Sequence, residues 1–176
     1  NITNYTYSTD GNDNLTKIQL PTEGTVAGAT ESWAYTDISH PFYATSHTDA
    51  QGHTTTYTYD TPGNLHTITD SLTTQNSETI NHNSNGTVSS LVDFNGNTTS
   101  YSYDTAGNLT KVTPPTTLMG PPGAPLGPTT ITPDSLSRQH VVVDGALKQT
   151  TTTFDNLDRA TLVTYTDNST ITYNID

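Results

Sequence analysis

The sequence predicts an all-β fold built as an array of antiparallel β-hairpins, and three observations support this prediction. Pairs of Tyr recur with one residue between them, as at Tyr57 and Tyr59, and this spacing places both rings on one face of a strand. A turn motif of Asp and Gly follows these pairs at a fixed distance. Thr, which favours strands, makes up 40 of the 176 residues.

The composition is poor in core-building residues. Leu, Ile, Val and Phe together contribute only 31 residues, and five Lys and Arg against seventeen Asp and Glu give a formal net charge of −12. Such a balance is typical of disordered chains, because too little apolar surface is available for burial. The regular positions of the ten Tyr favour ordered strands instead.

Charge and residue types also exclude several classes of protein. The five basic residues stand singly in an acidic chain, so no surface would neutralise phosphates, and we expect no nucleic-acid partner. No apolar run approaches the ~18 residues of a membrane-spanning helix, so we expect no membrane span. The absence of Cys excludes a disulfide framework.

Two segments, residues 49–65 and 93–109, carry the repeat most clearly. Each begins with Asp-x-x-Gly, continues after four residues with Tyr-x-Tyr-Asp, and ends with Gly-Asn-Leu. Asp accepts hydrogen bonds from backbone N–H groups further along and Gly adopts positive φ, so the motif predicts tight turns. One repeat is therefore a hairpin with a connecting turn, and stacked hairpins share a stripe of apolar side chains. The residues assigned to the motif are Tyr57, Tyr59, Asp60, Gly63, Leu65, Tyr101, Tyr103, Asp104, Gly107, Leu109, Phe154 and Asp155.

Weaker copies extend the array along the chain. Their second aromatic or equivalent positions fall near residues 7, 35, 82, 133, 154 and 173. With Tyr59 and Tyr103 of the two clear copies included, the basic step is about 19–24 residues and is longer where loops are inserted. The sequence thus predicts a single array of about eight degenerate repeats over residues 1–176. Residues 114–128 interrupt it as a Pro/Gly-rich insertion, because Pro cannot donate to a strand ladder.

The pattern Gly-x4-Tyr-x-Tyr-Asp-x-x-Gly-x-Leu resembles the YD (tyrosine–aspartate) repeat of Rhs-type proteins, toxin-complex shells and teneurins. The likeness extends to residues 154–160, where Asp158 stands in place of Gly in the family's Asp-x-x-Gly-Arg form. The resemblance implies hairpins that wind into a β-spiral or barrel-like shell. It also implies a secreted protein at an extracellular or cell-surface location, of bacterial origin.

No residue constellation predicts catalysis, so we expect no enzyme and no cofactor. Asp60 and Asp104 recur at one repeat position, which favours a turn role over a catalytic pair. His40, His47 and His53 lie close together in sequence near several Asp, and a metal site is an alternative to polar strand residues. No fixed metal-binding spacing supports that alternative, so we expect no metal.

Two further sets of residues are candidates for sugar chemistry. Trp33 and Tyr35 are aromatics on which a sugar ring could stack. Seven Asn begin Asn-x-Thr sequons, which are acceptors for N-glycosylation in secreting organisms that have the machinery. These sequons begin at Asn1, Asn4, Asn14, Asn85, Asn97, Asn108 and Asn168.

The function expected from the sequence is structural. We expect an extracellular YD-repeat module that forms part of a shell, fibre or adhesive surface. Its sheet would continue end to end, either with copies of itself in a filament or with further repeats of a longer chain, because uncovered strand edges invite pairing. Two alternatives stay open, a carbohydrate-binding adhesion module with glycan partners and a fragment of an Rhs-type toxin-encapsulating shell.

Overall fold

The computed structural model describes residues 2–22, 28–71, 77–117, 119–120 and 124–174. In this part of the chain seventeen β-strands form and no helix does, so the all-β prediction is confirmed. The described residues accordingly include no helix of the length and apolarity that a membrane crossing needs. Fifteen strands follow one another in a sheet in chain order, and the remaining two pair with each other.

The chain divides into two compact units, of which the first comprises Asn1–Asn81 and Val92–Gly96. Its strands pair antiparallel with their neighbours in the sequence, as the repeat predicts. They are β1 (Asn4–Tyr7), β2 (Leu15–Gln19), β3 (Thr30–Ala34), β4 (Ser46–Thr48), β5 (Thr54–Tyr59), β6 (Leu65–Asp70) and β7 (Ser77–His82).

The second unit comprises His82–Leu91 and Asn97–Asp176. From β9 onward its long strands again pair antiparallel in order. Its strands are β8 (Val88–Val92), β9 (Thr98–Tyr103), β10 (Leu109–Thr113), β11 (Met119–Gly120), β12 (Ala124–Pro125), β13 (Thr129–Pro133), β14 (Gln139–Val143), β15 (Gln149–Phe154), β16 (Ala160–Tyr165) and β17 (Thr170–Thr172).

The two faces of the β5–β6 hairpin differ in chemistry because side chains alternate along a strand. In the β5–β6 hairpin Tyr57 lies opposite Ile68 on one face. Thr58 lies opposite Thr67 on the other, with their hydroxyl oxygens 2.6 Å apart. Cross-strand pairs of this kind are the unit of sheet stabilisation, so this hairpin is held by both an apolar and a hydroxyl pair.

Apolar side chains in both units are mostly half-buried. Among the described residues Ile131, on β13, is the one apolar residue that is buried, and it lies opposite Val142 on β14. The apolar shortage of the sequence therefore leads to sheet pairing rather than to a closed core.

The register shifts by one residue at one end of five hairpins. In the β5–β6 hairpin the shift lies between Thr58 and Tyr59, directly before the turn. The same shift precedes or follows the turns that join β1–β2, β9–β10, β13–β14 and β15–β16. A residue with positive φ followed by a bulge is a regular way to close a hairpin with a loop of three to five residues.

The strands formed by described residues of the Pro/Gly-rich insertion lie outside the main sheet. Lys111 of β10 pairs directly with Thr130 of β13, so the chain leaves and re-enters the sheet at neighbouring positions. Within the insertion β11 pairs with β12. The insertion returns to the sheet where the Gly127 N–H donates to the Gly145 carbonyl at 3.2 Å.

Candidate functional site: the repeated aspartate turn

The candidate site is a five-residue turn that recurs along the chain, here called the aspartate turn. At residues 60–64 the Asp60 N–H donates to the Asn64 carbonyl and the Gly63 N–H donates to the Asp60 carbonyl, both at 2.9 Å. The Asp60 carboxylate closes the turn from inside, since its Oδ1 accepts the Asn64 N–H at 2.7 Å. Its Oδ2 accepts from the Asn64 side-chain amide at 3.0 Å.

The same backbone bonds recur at eight turns of the described chain, six of which begin with Asp. In each, the N–H of the first residue donates to the carbonyl of the fifth, and the N–H of the fourth donates to the carbonyl of the first. In the six aspartate turns Oδ1 of the Asp accepts the N–H of the fifth residue. The other two turns, at residues 83–87 and 165–169, begin with Asn and Tyr. The six aspartate turns are residues 49–53, 60–64, 104–108, 134–138, 144–148 and 155–159.

The sequence motif contains the fifth residue of the turn but assigns no role to its side chain. Its side chain donates to Oδ2 of the Asp in the turns that end at Asn64, Asn108, Arg138 and Arg159. His53 takes this place in the first turn, with Nδ1 3.1 Å from Oδ2 of Asp49. A side-chain donor four residues after each Asp is the signal that could have identified the position.

The fourth residue of the turn adopts positive φ. Gly63 and Gly107 do so at 95° and 88°, as the motif predicts. Ser137, Leu147 and Asp158 occupy the same position with φ of 65°, 63° and 61°. Residues with a Cβ are disfavoured in this region, so the later turns keep the conformation at a cost in backbone strain.

Hydrogen bonding makes these carboxyl groups more acidic. The side-chain amide of Asn108 holds the pKa of Asp104 below its ordinary value, and the Arg138 guanidinium does the same for Asp134. For Asp49 and Asp155 the main cause of the lowered pKa is the N–H of the fifth residue. A hydrogen bond to the charged form favours that form, so these carboxylates are ionised at neutral pH.

Arg138 joins its own turn, residues 134–138, to the turn at residues 155–159 in the second unit. Its Nε donates to Asp134 Oδ2 at 2.7 Å within its own turn. Its Nη1 donates to the Asp155 carbonyl at 3.0 Å and to Asp158 Oδ1 at 2.9 Å, both in the turn that joins β15 and β16. The guanidinium carbon lies 4.6 Å from the ring centroid of Phe154, a cation–π contact.

The five aromatics of the predicted motif are all half-buried. Tyr57, Tyr59, Tyr101, Tyr103 and Phe154 are neither fully buried nor exposed. The Tyr59 hydroxyl donates to the Ala44 carbonyl at 2.8 Å. Leu65 and Leu109 are the first residues of the return strands β6 and β10.

The three sequence-neighbouring His do not converge. His40 Nδ1 lies 2.8 Å from Asp37, His47 Nε2 lies 3.2 Å from Glu31, and His53 is paired with Asp49 in its turn. Each imidazole thus has its own carboxylate. The described residues contain no group of three or more His, Cys, Asp or Glu arranged to hold a metal ion.

The candidate sugar residues are placed unequally. The Trp33 ring is stacked on His47, with centroids 4.8 Å apart, so one of its faces is occupied. Asn14 is buried and its amide donates to the Pro41 carbonyl at 2.7 Å, while the Asn108 amide donates to both Asp104 and Ser137. Glycosylation at either Asn would break these contacts. Asn4, Asn85 and Asn168 are exposed, Asn97 and Tyr35 are half-buried, and Asn1 lies outside the described residues.

Comparison with known proteins gives a family match and structural likenesses. Residues 82–117 match the family model of the RHS repeat. No curated protein matches the chain. The chain is similar to the crystal structure of TcdB2-TccC3 without its hypervariable C-terminal region, with a TM-score of 0.65 and 15% identity over 88% of this chain and 9% of that chain. It is similar to the crystal structure of TcdB2-TccC3, with a TM-score of 0.61 and 15% identity over 84% of this chain and 8% of that chain. The chain therefore spans less than a tenth of the length of these structures, and the likeness is one of fold.

Proposed function

We propose that this protein is a structural wall segment of an Rhs-type shell. The match to the RHS repeat and the fold support its resemblance to the YD/Rhs-repeat proteins. The wall is a β-spiral whose sheet continues through further strands, and its role is mechanical rather than catalytic. The resemblance supports a secreted, extracellular protein of bacterial origin. The single observation that carries the proposal is that the two edge strands are exposed and carry apolar side chains.

The edge strands β1 and β17 are exposed along their whole length. Among the described residues no strand pairs with the outer edge of either one. Each edge also carries exposed apolar side chains, Tyr5 and Tyr7 on β1 and Ile171 on β17. An unpaired edge with apolar side chains is a template for pairing with another strand, and soluble proteins usually protect such edges with charge, Pro or a covering segment.

Side-chain parity supports continuation of the apolar face of the sheet. Tyr5 lies opposite Ile18 on the apolar face, and Ile171 lies opposite Val163 on the apolar face at the other edge. Thr6 and Thr172 point to the other face, where they lie opposite Lys17 and Leu162. A further strand with the same alternation, from the same protein or from another copy, would extend the apolar stripe.

The aspartate turns favour a wall over a binding module. Their polar groups bond one another within five residues, so few are directed toward a ligand. The carbohydrate-binding alternative loses one ring face of Trp33 to His47. Adhesion, a filament and glycosylation stay predictions from the sequence.

The test replaces one exposed apolar residue on each edge strand by Lys, as Tyr5→Lys with Ile171→Lys, and measures association by analytical ultracentrifugation. We expect the natural chain to associate with increasing concentration and the edge variant to stay monomeric, because a charge on an edge strand opposes pairing. The matched control is Leu147→Lys with Leu157→Lys, at exposed turn positions. A natural chain that stays monomeric at its highest soluble concentration, or a control variant that loses association equally, contradicts the proposal.

A further inference from the structure

The segment that joins β3 to β4 exposes large apolar side chains. Ile38 is 95% exposed and Phe42 is 64% exposed. Tyr43, which follows Phe42 in the chain, is also exposed. These residues lie in residues 36–44, here called the β3–β4 loop. Single exposed apolar residues are ordinary on protein surfaces, but three of them within six residues of one loop form a patch.

The β3–β4 loop is held in one conformation by its own hydrogen bonds. The Ser39 N–H donates to Asp37 Oδ1 at 2.9 Å, and the His40 N–H donates to the Asp37 carbonyl at 3.1 Å. Asp37 Oδ2 lies 2.8 Å from His40 Nδ1. The Tyr43 N–H donates to the His40 carbonyl at 3.0 Å, which closes a second turn.

Residues elsewhere in the first unit hold the loop through hydrogen bonds and ring contacts. Asn14, a polar residue only 8% exposed, donates from Nδ2 to the Pro41 carbonyl at 2.7 Å. The Tyr59 hydroxyl donates to the Ala44 carbonyl at 2.8 Å. The rings of His40 and Tyr43 stack with centroids 5.4 Å apart, and Tyr43 lies 4.9 Å from Tyr59.

A rigid loop with exposed apolar side chains has the properties of a recognition element. Apolar anchors carry much of the binding free energy at protein interfaces. A loop that is already ordered loses little conformational entropy when a partner binds. In the β3–β4 loop the buried Asn14 and the stacked rings supply the order, and Ile38 and Phe42 supply the apolar contact surface.

The charge around the loop indicates the chemistry of the partner. Lys17 is the only basic residue of the first unit, which contains ten acidic residues. Two of them, Asp37 and Asp60, lie close enough to act on His40 within and beside the loop. A partner that meets this surface needs positive charge around its apolar centre, because complementary potentials speed encounter and like charges oppose it.

We propose that the β3–β4 loop is a docking site for a protein partner that presents an apolar surface flanked by Lys or Arg. Ile38 and Phe42 are its anchors, and the acidic first unit selects the basic flank. A glycan fits the loop less well, because an aliphatic Ile38 offers no ring for a sugar to stack on and His40 already covers one face of Tyr43. This docking site is independent of the edge strands that carry the proposed wall function.

The probes are two synthetic helical peptides with the same Leu face, one flanked by Lys and the other by Glu. Binding to the full chain is measured by fluorescence anisotropy of the labelled peptide. We expect the Lys peptide to bind at least tenfold more weakly to the double variant Ile38→Ser with Phe42→Ser. The Glu peptide should bind at least tenfold more weakly than the Lys peptide to the natural chain.

The matched control is Leu147→Ser with Leu157→Ser, which removes two equally exposed apolar side chains from the second unit and should leave the affinity unchanged. Asn14→Ala serves as a second variant, because it keeps the anchors and frees the loop, and it should weaken binding several-fold. Equal affinity for the natural chain and the Ile38/Phe42 variant overturns the proposal, as does the absence of binding to either. Competition by a soluble oligosaccharide also overturns it, in favour of a glycan site.

Discussion

The fourth residue of each aspartate turn adopts positive φ, whether or not that residue is Gly. Gly107 adopts φ of 88° and Leu147 adopts φ of 63° at equivalent positions. A left-handed residue with a Cβ costs roughly 1–2 kcal/mol relative to Gly, which has no Cβ to clash. Leu147 is 81% exposed, so its side chain returns little packing energy for that strain.

We therefore expect Leu147→Gly to stabilise the fold and Gly107→Ala to destabilise it, each by about 1 kcal/mol. The gain at Leu147 is the released strain less the entropy that Gly adds to the unfolded chain, about 0.4–1 kcal/mol. A Cβ at Gly107 would meet no atom within 4 Å, so its cost comes from the backbone alone. Urea unfolding of the two variants measures both effects, and shifts of the same sign would contradict the prediction.

At the residue scale, the sequence predicts the turns that keep Gly and misses those that do not. Asp60 with Gly63 and Asp104 with Gly107 form the turns that the motif indicates. Ser137 and Leu147 at positive φ carry no sequence signal, because few non-Gly residues adopt that region and none requires it. Their conformation is set by the hairpin register and by the preceding Asp.

At the scale of elements, neighbouring hairpins are linked as well as paired. Arg138 closes its own turn on Asp134 and also donates to the Asp155 carbonyl and to Asp158 in the β15–β16 turn. Arg159 occupies the equivalent position one hairpin later and donates to its own Asp155. The two arginines thus provide a natural comparison between a linking residue and one seen only in its own turn.

We expect Arg138→Ala to lower the urea midpoint more than Arg159→Ala does. Both variants lose the bond to the Asp of their turn, but only Arg138→Ala loses the bonds to the β15–β16 turn and the contact with the Phe154 ring. Removal of Arg138 also leaves the Asp155 carbonyl without that donor. Equal midpoints for the two variants would show that the link between the turns adds no stability.

The order of the hairpins could be predicted from the sequence, but the connections between them could not. The β5–β6 and β9–β10 hairpins follow directly from Tyr-x-Tyr-Asp and the Leu that starts each return strand. The β3–β4 loop has no such signal. Its conformation depends on Asn14 and Tyr59, which are distant in sequence and come close only when the sheet has formed.

For the whole molecule, charge and turn chemistry act in opposite directions as the pH changes. A net charge of −12 at neutral pH destabilises the compact state by self-repulsion. The raised pKa of His40, caused by its bond to Asp37, adds stability that is complete below about 6.5 and is lost as the pH rises. The lowered pKa values of the turn carboxylates add stability above about 3.8 that is lost as the pH falls.

We therefore expect stability to rise between pH 7 and about 5 and to fall steeply below about 4. The rise reflects protonation of His40 and the relief of repulsion, and the fall reflects protonation of Asp49, Asp104, Asp134 and Asp155. Urea midpoints measured across this range test the prediction. Asp104→Asn is the control, because it keeps a side-chain acceptor without the titrating group and should flatten the acid limb. A stability that declines steadily from pH 7 downward would contradict it.

The composition of the whole chain indicates disorder, whereas the spacing of its residues indicates the fold. Ile131 is the buried apolar residue of the described chain, so stability arises from many similar neighbour contacts rather than from one core. This is why a self-comparison of the sequence succeeds where average hydrophobicity fails. A self-comparison does not reveal what pairs with the edge strands, because the repeat pattern describes only the pairing of strands inside the array.

The local closure of the aspartate turns has a consequence for the way such a chain can change its length. Each turn is closed by hydrogen bonds among its own five residues, and each strand reverses the direction of the one before it. Loss or gain of a single strand would reverse the direction of every strand that follows. The turns that now lie at one end of those strands would then lie at the other end. Loss or gain of a whole hairpin leaves directions and faces unchanged. The hairpin, rather than the strand, is therefore the unit in which this protein can be duplicated or deleted without refolding the remainder.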